Sequence, residues 1–512
     1  MKLPIPVGRR AFLQTGAYAA ALAALPTLAR AQSSPIEVAV DIRQVEGPLP
    51  HIWEESVGSD RAAITLRETW REDLERWKAE AGIKRVRFHG IFNDELGVYA
   101  ASILNRGRVD TPNWQNIDQV YDGLVERGVS PLIELGFMPK KLASGNQSFG
   151  FYAANVSPPK SIDAWADFIK SFVAHLVDRY GLATVKTWPF EVWNEPNLSF
   201  FWIGTQQQYF DLYKATAVAI KSIDAGIQVG GPATSRTAWL TEFMDYCSNT
   251  SVPLDFLTTH VYAGDAQDAM FGEGVKLPQA DVIPEAIRLA RQKIEASAWR
   301  GRPLWLTEWS SDSPAMIAHV IKGCLPHCQA LSHWVMSTTY EELGVAEHVI
   351  KENDPTWGLM ARNIAKPGFN TYKLLHALGG ERLQADGPVL ASIGPGKKVA
   401  ALVWNLADVK QPSGLPLPTF ERAVSGVSKQ YRVTFAGARG GQRVKVQFVD
   451  QERGSPLPAW RAMGSPRYPT LQQVKQLRLG SEIPAAISMK LDAARQLVLD
   501  LPPEGIALIE LV

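Results

Sequence analysis

Two short segments each place a glutamate among aromatic residues, directly after an apolar run. Residues 190–197 read FEVWNEPN and contain Glu195, and residues 304–309 read LWLTEW and contain Glu308. Glycoside hydrolysis requires a pair of carboxyl groups that flank one bond. One carboxyl protonates the leaving oxygen, and the other stabilises or captures the oxocarbenium-like carbon. Glu195 is therefore the candidate proton donor and Glu308 the candidate nucleophile.

The chain around these glutamates alternates between apolar runs and amphipathic stretches. Eight apolar runs cover residues 52–59, 86–89, 131–137, 187–193, 227–232, 255–262, 303–309 and 331–340. Apolar residues recur every three or four positions in residues 66–81, 114–127, 162–180, 206–223, 286–296 and 315–328. Eight strand–helix repeats predict an α/β fold with a parallel (β/α)8 TIM barrel, here over residues 49–378. An open doubly wound sheet is disfavoured because no glycine-rich phosphate turn follows the first strand.

A barrel of this kind gathers the side chains at the carboxyl ends of its strands into one site. Glu195 and Glu308 end strands four and seven, which lie on opposite sides of the barrel mouth. We expect Glu195 to be protonated, because a second carboxylate and aromatic walls both raise a carboxyl pKa. His260 and Tyr262, at the end of strand six, are placed to donate hydrogen bonds to an ionised Glu308. Asn194 is placed to reach the 2-hydroxyl of a sugar.

Other polar residues near these strands have structural interpretations. Glu191 is expected to take part in a structural salt bridge, and Glu134 is expected to pair with a neighbouring arginine such as Arg87. The chain has three cysteines, Cys247, Cys324 and Cys328, and an odd number in an exported protein argues against a disulfide framework. His327 lies between the last two, but structural zinc normally takes four ligands. We therefore expect no metal and no cofactor.

The pattern changes after residue 378. Short strand-like segments at residues 399–404, 431–435, 444–448, 497–499 and 506–511 are separated by turns or loops. They predict an antiparallel β-sandwich accessory domain over residues 379–512, which the strand-like segment within residues 32–48 is expected to join. Residues 450–487 are expected to be mostly loop, with one helix at 471–477.

The composition and the N-terminal residues limit which binding partners and which cellular location are expected. A formal net charge of +1 indicates neither a nucleic-acid nor an acidic-membrane partner. Residues 1–31 carry Arg9-Arg10, a short apolar run and a small-x-small site at 29–31, which is typical of a twin-arginine signal peptide. The apolar run is too short to span a bilayer. We therefore expect a periplasmic or secreted protein of unassigned oligomeric state.

Several motifs resemble those of glycoside hydrolase family 39. They include GFMP at 136–139, WNEPN at 193–197, YEE at 340–342 and MGSP at 463–466. Within the family the resemblance is strongest to bacterial β-xylosidases. It implies a barrel with a β-sandwich, a retaining mechanism, Glu195 as acid/base and Glu308 as nucleophile. It also implies that the sugar subsite is lined by His89, Asn194, His260, Tyr262, Trp334, Glu341 and Glu342.

The resemblance leaves the substrate open. Residues 310–312 read SSD where many relatives carry an asparagine, and residues 337–339 read STT where relatives often carry an aspartate, so leaving-group preference is not inherited securely. The same family likeness covers α-L-iduronidases, arabinosidases and exopolysaccharide hydrolases. Apart from Arg61 and Arg87, no basic cluster is visible at the strand ends, which favours a neutral pentose.

Two other function classes fit the sequence less well. A non-catalytic carbohydrate-binding protein on a degenerate barrel would typically have lost one of the two glutamates. A serine hydrolase would carry a Gly-x-Ser-x-Gly elbow, and none is found.

The export signal leads to a first testable prediction. Replacing Arg9 and Arg10 by lysine should leave active enzyme in the cytoplasm, because the twin-arginine route requires the arginine pair. Activity measured in cell fractions checks this. If export is unchanged, the protein follows the general secretion route instead.

Overall fold

The computed structural model describes residues 34–99, 111–337, 349–352, 358–411 and 424–512. The predicted signal peptide at 1–31 lies outside the described residues. Residues Ile36–Val512 form one compact unit. None of the described helices is long and apolar enough to cross a membrane.

Eight parallel strands close into a barrel in which each strand pairs with its neighbours in chain order, and the eighth pairs with the first. The barrel strands are Ser56–Arg61, Arg85–His89, Ser130–Leu135, Phe190–Val192, Val229–Ser235, Phe256–His260, Leu304–Trp309 and Ala330–His333. Each lies within or beside one of the eight predicted runs, and the predicted TIM-barrel fold is confirmed.

Helices surround and connect these strands. The described α-helices are Glu68–Ala81, Gln115–Val125, Ile162–Tyr180, Leu182–Val185, Gln206–Ile223, Leu240–Asn249, Asp268–Phe271, Gln279–Glu295, Pro314–Cys324, Pro367–His376, Leu457–Ala462 and Leu471–Gly480. Helix Gln279–Glu295 begins well before the predicted start at residue 286. Its early turns contain Pro284, a residue that normally interrupts a helix and so concealed the true beginning.

Local capping and one buried hydrogen bond fix the helices that follow strands three and four. Ser161 caps helix Ile162–Tyr180, and Thr205 forms a capping box with Gln208 at the start of helix Gln206–Ile223. The buried indole nitrogen Nε1 of Trp165 donates to Oγ1 of Thr216, 2.8 Å away, and joins the two helices. These two helices flank the strand that ends at the candidate acid.

The accessory domain is built on a single nine-stranded sheet. Its strands, in spatial order, are Ile487–Lys490, Arg443–Val449, Ile506–Leu511, Val399–Trp404, Val389–Ile393, Glu381–Asp386, Ile36–Pro48, Lys429–Ala436 and Gln496–Leu501. All pairs are antiparallel except one. The strand Ile36–Pro48 runs parallel to Lys429–Ala436, so the sheet is mixed rather than purely antiparallel.

Alternation along one strand shows how this sheet attaches to the barrel. In Val399–Trp404, the side chains of Val399, Ala401 and Val403 pack into the sheet's own core. The intervening Ala400, Leu402 and Trp404 join the barrel core. Successive strand side chains point to opposite faces, so this central strand is buried on both sides.

The smaller strand pairs and 3-10 turns lie in connecting loops. The two-stranded pairs are Ser148–Phe149 with Ala154–Asn155, Met360–Ala361 with Ile364–Ala365, and Asp408–Val409 with Val424–Ser425. The 3-10 turns are Ala62–Leu66, Asp94–Leu96 and Pro395–Lys397.

Candidate active site

The backbone at the end of strand four sets the position of Glu195. Strand Phe190–Val192 is only three residues long, and both Trp193 (φ 71°) and Glu195 (φ 42°) lie in the left-handed region. Such conformations are unfavourable for residues other than glycine and persist where the surroundings over-determine them. Here the Glu195 amide donates to the Ala233 carbonyl at 2.8 Å, which ties the turn to strand five.

The two candidate catalytic carboxylates lie close together, as the barrel topology predicts. One oxygen of Glu195, one oxygen of Glu308 and a ring nitrogen of His260 all lie within 4.8 Å of one another. His260 Nδ1 is 3.1 Å from Oε1 of Glu195 and 3.6 Å from Oε2 of Glu308. His260 was expected to support Glu308, but its hydrogen bond is to Glu195.

Two other described side chains donate hydrogen bonds to Glu308. The Tyr262 hydroxyl donates to Oε1 of Glu308 at 2.6 Å, as predicted, and Arg87 donates from Nη1 to Oε2 at 3.2 Å. His89 is more distant, with its Nε2 4.0 Å from Oε2. A phenol hydroxyl and a guanidinium both favour the ionised carboxylate.

Arg87 is fully buried and contacts four of the polar side chains in the barrel. It pairs with Glu191 at 2.6 Å and Glu134 at 2.9 Å, which confirms the two predicted ion pairs. It also donates from Nη2 to Oδ1 of Asn194 at 3.0 Å. Its contacts with Glu308 and Asn194 were not predicted. The sequence did contain a signal for these contacts. Arg87 lies two positions before His89 on one strand, so both side chains lie on the same face.

Burial and this cation set the ionisation of the buried groups. Burial opposes ionisation of Glu191, but Arg87 holds the pKa of that carboxyl below its usual value. Burial raises the pKa of Glu308, against the opposing effect of nearby His260 and Arg87. Burial also lowers the pKa of His260 to about 4, so its imidazole is uncharged at neutral pH.

Aromatic rings form one wall of the site. The Trp334 ring centroid lies 4.6 Å from that of His89, and His89 also lies 5.9 Å from Phe137 and 6.1 Å from Phe201. Phe137 and Phe201 stack on each other, and neither was singled out from the sequence. Phe201 follows strand four in an irregular loop, where no periodicity marks it.

Two of the predicted residues have buried polar atoms that are unpaired within the described chain. They are Nδ2 of Asn194 and Nε2 of His260. Buried polar atoms are almost always hydrogen bonded, so these two are candidates to bind a ligand's hydroxyl groups. Glu341 and Glu342 lie outside the described residues.

The same carboxylates and imidazole are donor types that a divalent cation accepts. The guanidinium of Arg87, 3.2 Å from Glu308, would repel such an ion. The arrangement is better suited to acid–base and nucleophilic chemistry on a neutral ligand.

Comparison with known proteins agrees with this site. Residues 36–490 match the profile of Glycosyl hydrolases family 39. The chain is 32% identical to a β-xylosidase of Geobacillus stearothermophilus over 83% of its length and 85% of the relative's. It is also 32% identical to a β-xylosidase of Caldicellulosiruptor saccharolyticus, over 85% of this chain and 90% of the relative.

A solved structure is similar along almost the whole chain. The crystal structure of a β-xylosidase from Caulobacter crescentus CB15 superposes with a TM-score of 0.80 at 34% identity. The match covers 93% of this chain and 99% of that one. With a profile match over most of its length and relatives above 30% identity, this chain belongs to glycoside hydrolase family 39.

Proposed function

We propose that this glycoside hydrolase cleaves β-xylosides with retention of configuration, by double displacement. The observation that carries the proposal is the approach of the two carboxylates to within 4.8 Å. Retaining enzymes hold their carboxyl groups about 5–5.5 Å apart, whereas inverting enzymes leave about 6.5–9.5 Å for a water molecule. The β-xylosidase relatives support the choice of sugar.

The proposed mechanism has two steps. In the first, Glu308 attacks the anomeric carbon while Glu195 gives its proton to the departing glycosidic oxygen. The glycosidic bond breaks, and a covalent glycosyl–Glu308 ester forms. In the second, ionised Glu195 takes a proton from water, which attacks the same carbon and releases Glu308 as a carboxylate. The cycle returns both groups to their starting states.

The environments of the two carboxyls support these different roles. Glu308 accepts hydrogen bonds from a permanent cation, Arg87, and from the Tyr262 hydroxyl, and Arg87 opposes the rise in pKa that burial causes. Glu195 is hydrogen bonded to His260, whose imidazole is neutral at physiological pH. A neutral imidazole adds no positive charge that would favour ionisation of Glu195, which is consistent with a carboxyl that carries its proton as a general acid.

Sugar binding is assigned to the polar and aromatic residues around the pair. We propose that Asn194 and His260 use their unpaired nitrogens for sugar hydroxyls and that Tyr262 and Trp334 contact the ring. His89 lies between Trp334 and Glu308 and completes this subsite. Glu341 and Glu342 are assigned to it on the sequence motif alone.

Two arginines that could have bound a substrate carboxylate are engaged elsewhere. Arg61 pairs with Glu95 at 3.0 Å, and its guanidinium lies 5.0 Å from the ring centroid of Phe151. Arg87 is shared among barrel glutamates. This favours a neutral pentose over iduronate. An arabinoside or an exopolysaccharide remains the alternative within the family.

We also propose, on the N-terminal sequence alone, that the enzyme is exported through the twin-arginine route. Its substrates would then be xylo-oligosaccharides or xylose-bearing glycosides outside the cytoplasm.

Sugar preference can be measured with a panel of nitrophenyl glycosides. The β-xyloside should have a higher kcat/KM than the α-arabinoside, β-glucoside or α-iduronide, because the pocket's arginines are already paired. A preference for the iduronide would contradict the neutral-pentose assignment while leaving the two catalytic roles intact.

The stereochemical course can be followed by nuclear magnetic resonance of the first-formed product. Hydrolysis of a β-xyloside should release β-xylose first, followed by slow mutarotation. Initial release of the α-anomer would mean that water attacks directly, and both catalytic assignments would have to be withdrawn.

Azide rescue distinguishes the two carboxyls. A Glu195→Ala variant should yield the β-glycosyl azide, because the anion enters on the acid/base face of the covalent intermediate. A Glu308→Ala variant should yield the α-azide, because the anion replaces the nucleophile. Production of the same anomer by both variants would refute the assignment of roles.

The Tyr262 contact should be visible in the pH dependence. Hydrogen bonds to charged groups contribute about 1.5–3 kcal/mol. Tyr262→Phe removes a donor to ionised Glu308, so the Glu308 pKa should rise by about one to two units. The acidic limb of the pH profile of kcat/KM should shift to higher pH by the same amount. Tyr372→Phe is a matched control, because the Tyr372 hydroxyl bonds to His333 Nδ1. An unshifted limb in Tyr262→Phe would show that the contact does not tune the nucleophile.

A further inference from the structure

A second cluster of metal-ligating side chains lies at the other end of the barrel. His51 and Glu54 precede the first barrel strand, Ser56–Arg61, and His376 ends helix Pro367–His376. Glu195 follows strand four, and Glu308 lies near the carboxyl end of strand seven. Because all eight strands are parallel, residues at the amino end of strand one lie on the face opposite the active site.

The three side chains converge on one atom. Nδ1 of His51 is 2.5 Å from Oε1 of Glu54, and Nδ1 of His376 is 2.9 Å from the same oxygen. One ligand atom from each of the three residues lies within 4.8 Å of the other two. The imidazole nitrogens come from segments far apart in the chain, so tertiary structure alone brings them together.

The surroundings hold the cluster in place and keep one side accessible. Glu54 is almost buried, whereas the His376 side chain is 42% exposed. The His51 ring stacks on Trp53 with centroids 4.5 Å apart, which fixes its orientation. Gly82 faces the cluster, and a Cβ there would lie 2.5 Å from the His376 ring and 2.9 Å from Oε2 of Glu54. The residue at this position therefore leaves room beside both groups.

We propose that His51, Glu54 and His376 form a binding site for a borderline divalent cation such as Zn²⁺. Two imidazole nitrogens and one carboxylate are a common three-ligand set for zinc, with water in the fourth position. Nitrogen donors select this class of ion over Mg²⁺ and Ca²⁺, which prefer oxygen. The exposed edge of His376 provides a path for the ion, and Glu54 supplies the negative charge. This site goes beyond the sequence-based expectation of no metal, which considered only Cys324, Cys328 and His327.

The position of the site implies a structural role. An ion here would join the segment that enters the first barrel strand to the helix that follows the eighth, across 322 positions of sequence between Glu54 and His376. A ligand that binds the folded form and not the unfolded chain stabilises the fold. The ion would therefore stabilise the barrel where its first and eighth strands meet, without contacting the substrate.

The test uses the full-length mature protein after removal of metal by chelator and dialysis. Titration with ZnCl2 by calorimetry should show one equivalent bound, and thermal unfolding should shift upward by several degrees. His376→Ala should abolish both effects while leaving xyloside hydrolysis unchanged. His319→Ala is the matched control, because His319 pairs with Asp281 at 2.9 Å and belongs to no three-ligand cluster among the described residues. It should bind zinc like the parent.

Several outcomes would overturn the proposal. The proposal fails if the parent protein takes up no zinc. It also fails if the His376→Ala and Glu54→Gln variants take up as much zinc as the parent protein. Glu308→Gln addresses the other His–Glu cluster, in the active site. Zinc uptake that is lost in Glu308→Gln and retained in His376→Ala would place the ion among the catalytic residues instead. None of these results depends on which sugar the enzyme hydrolyses, so they are independent of the proposed function.

Discussion

The site depends on one buried cation shared among three buried glutamates. Arg87, on the second strand of the barrel, contacts Glu134, Glu191 and Glu308, which lie on the third, fourth and seventh strands. Removing one partner of a buried ion pair typically costs about 3–5 kcal/mol, because it leaves an uncompensated charge. Arg87 therefore compensates the negative charge of Glu134 and Glu191 beside the catalytic pair.

This arrangement couples the fold to the chemistry. The guanidinium that compensates structural Glu191 also touches the proposed nucleophile, and it fixes the side-chain amide of Asn194. The Thr307 hydroxyl donates to the other oxygen of Glu191. The residue that directly precedes Glu308 therefore supports the ion pair between Arg87 and Glu191. The barrel's packed interior and its reactive mouth are thus parts of one hydrogen-bonded network.

Sequence reasoning predicted the barrel because eight apolar runs alternate with amphipathic stretches. It was less accurate where a local rule was broken. Pro284 concealed the beginning of its helix, and the accessory sheet contains a parallel pair that short strand patterns cannot reveal. Helix Leu240–Asn249 was missed, and it begins after Trp239, which has a left-handed backbone and no side-chain cap.

The candidate site was likewise predicted from the sequence only in part. Glu195, Glu308, Tyr262 and His260 could be placed together because strand ends meet at one face. Which carboxylate His260 would contact could not be predicted, since that choice depends on a difference of half an ångström between 3.1 and 3.6 Å. The His51–Glu54–His376 cluster joins residues with no common sequence pattern, so only the folded chain reveals it.

The path of the chain through the accessory sheet also has a consequence for synthesis on the ribosome. Strand Ile36–Pro48 is made first, yet its neighbours, Glu381–Asp386 and Lys429–Ala436, are made only after the barrel. The sheet therefore cannot assemble until translation is nearly complete, whereas the barrel's strands pair with near neighbours as they emerge. A nascent chain that stalls before residue 381 would carry a complete barrel and an unpaired first strand, which is an exposed edge open to aggregation.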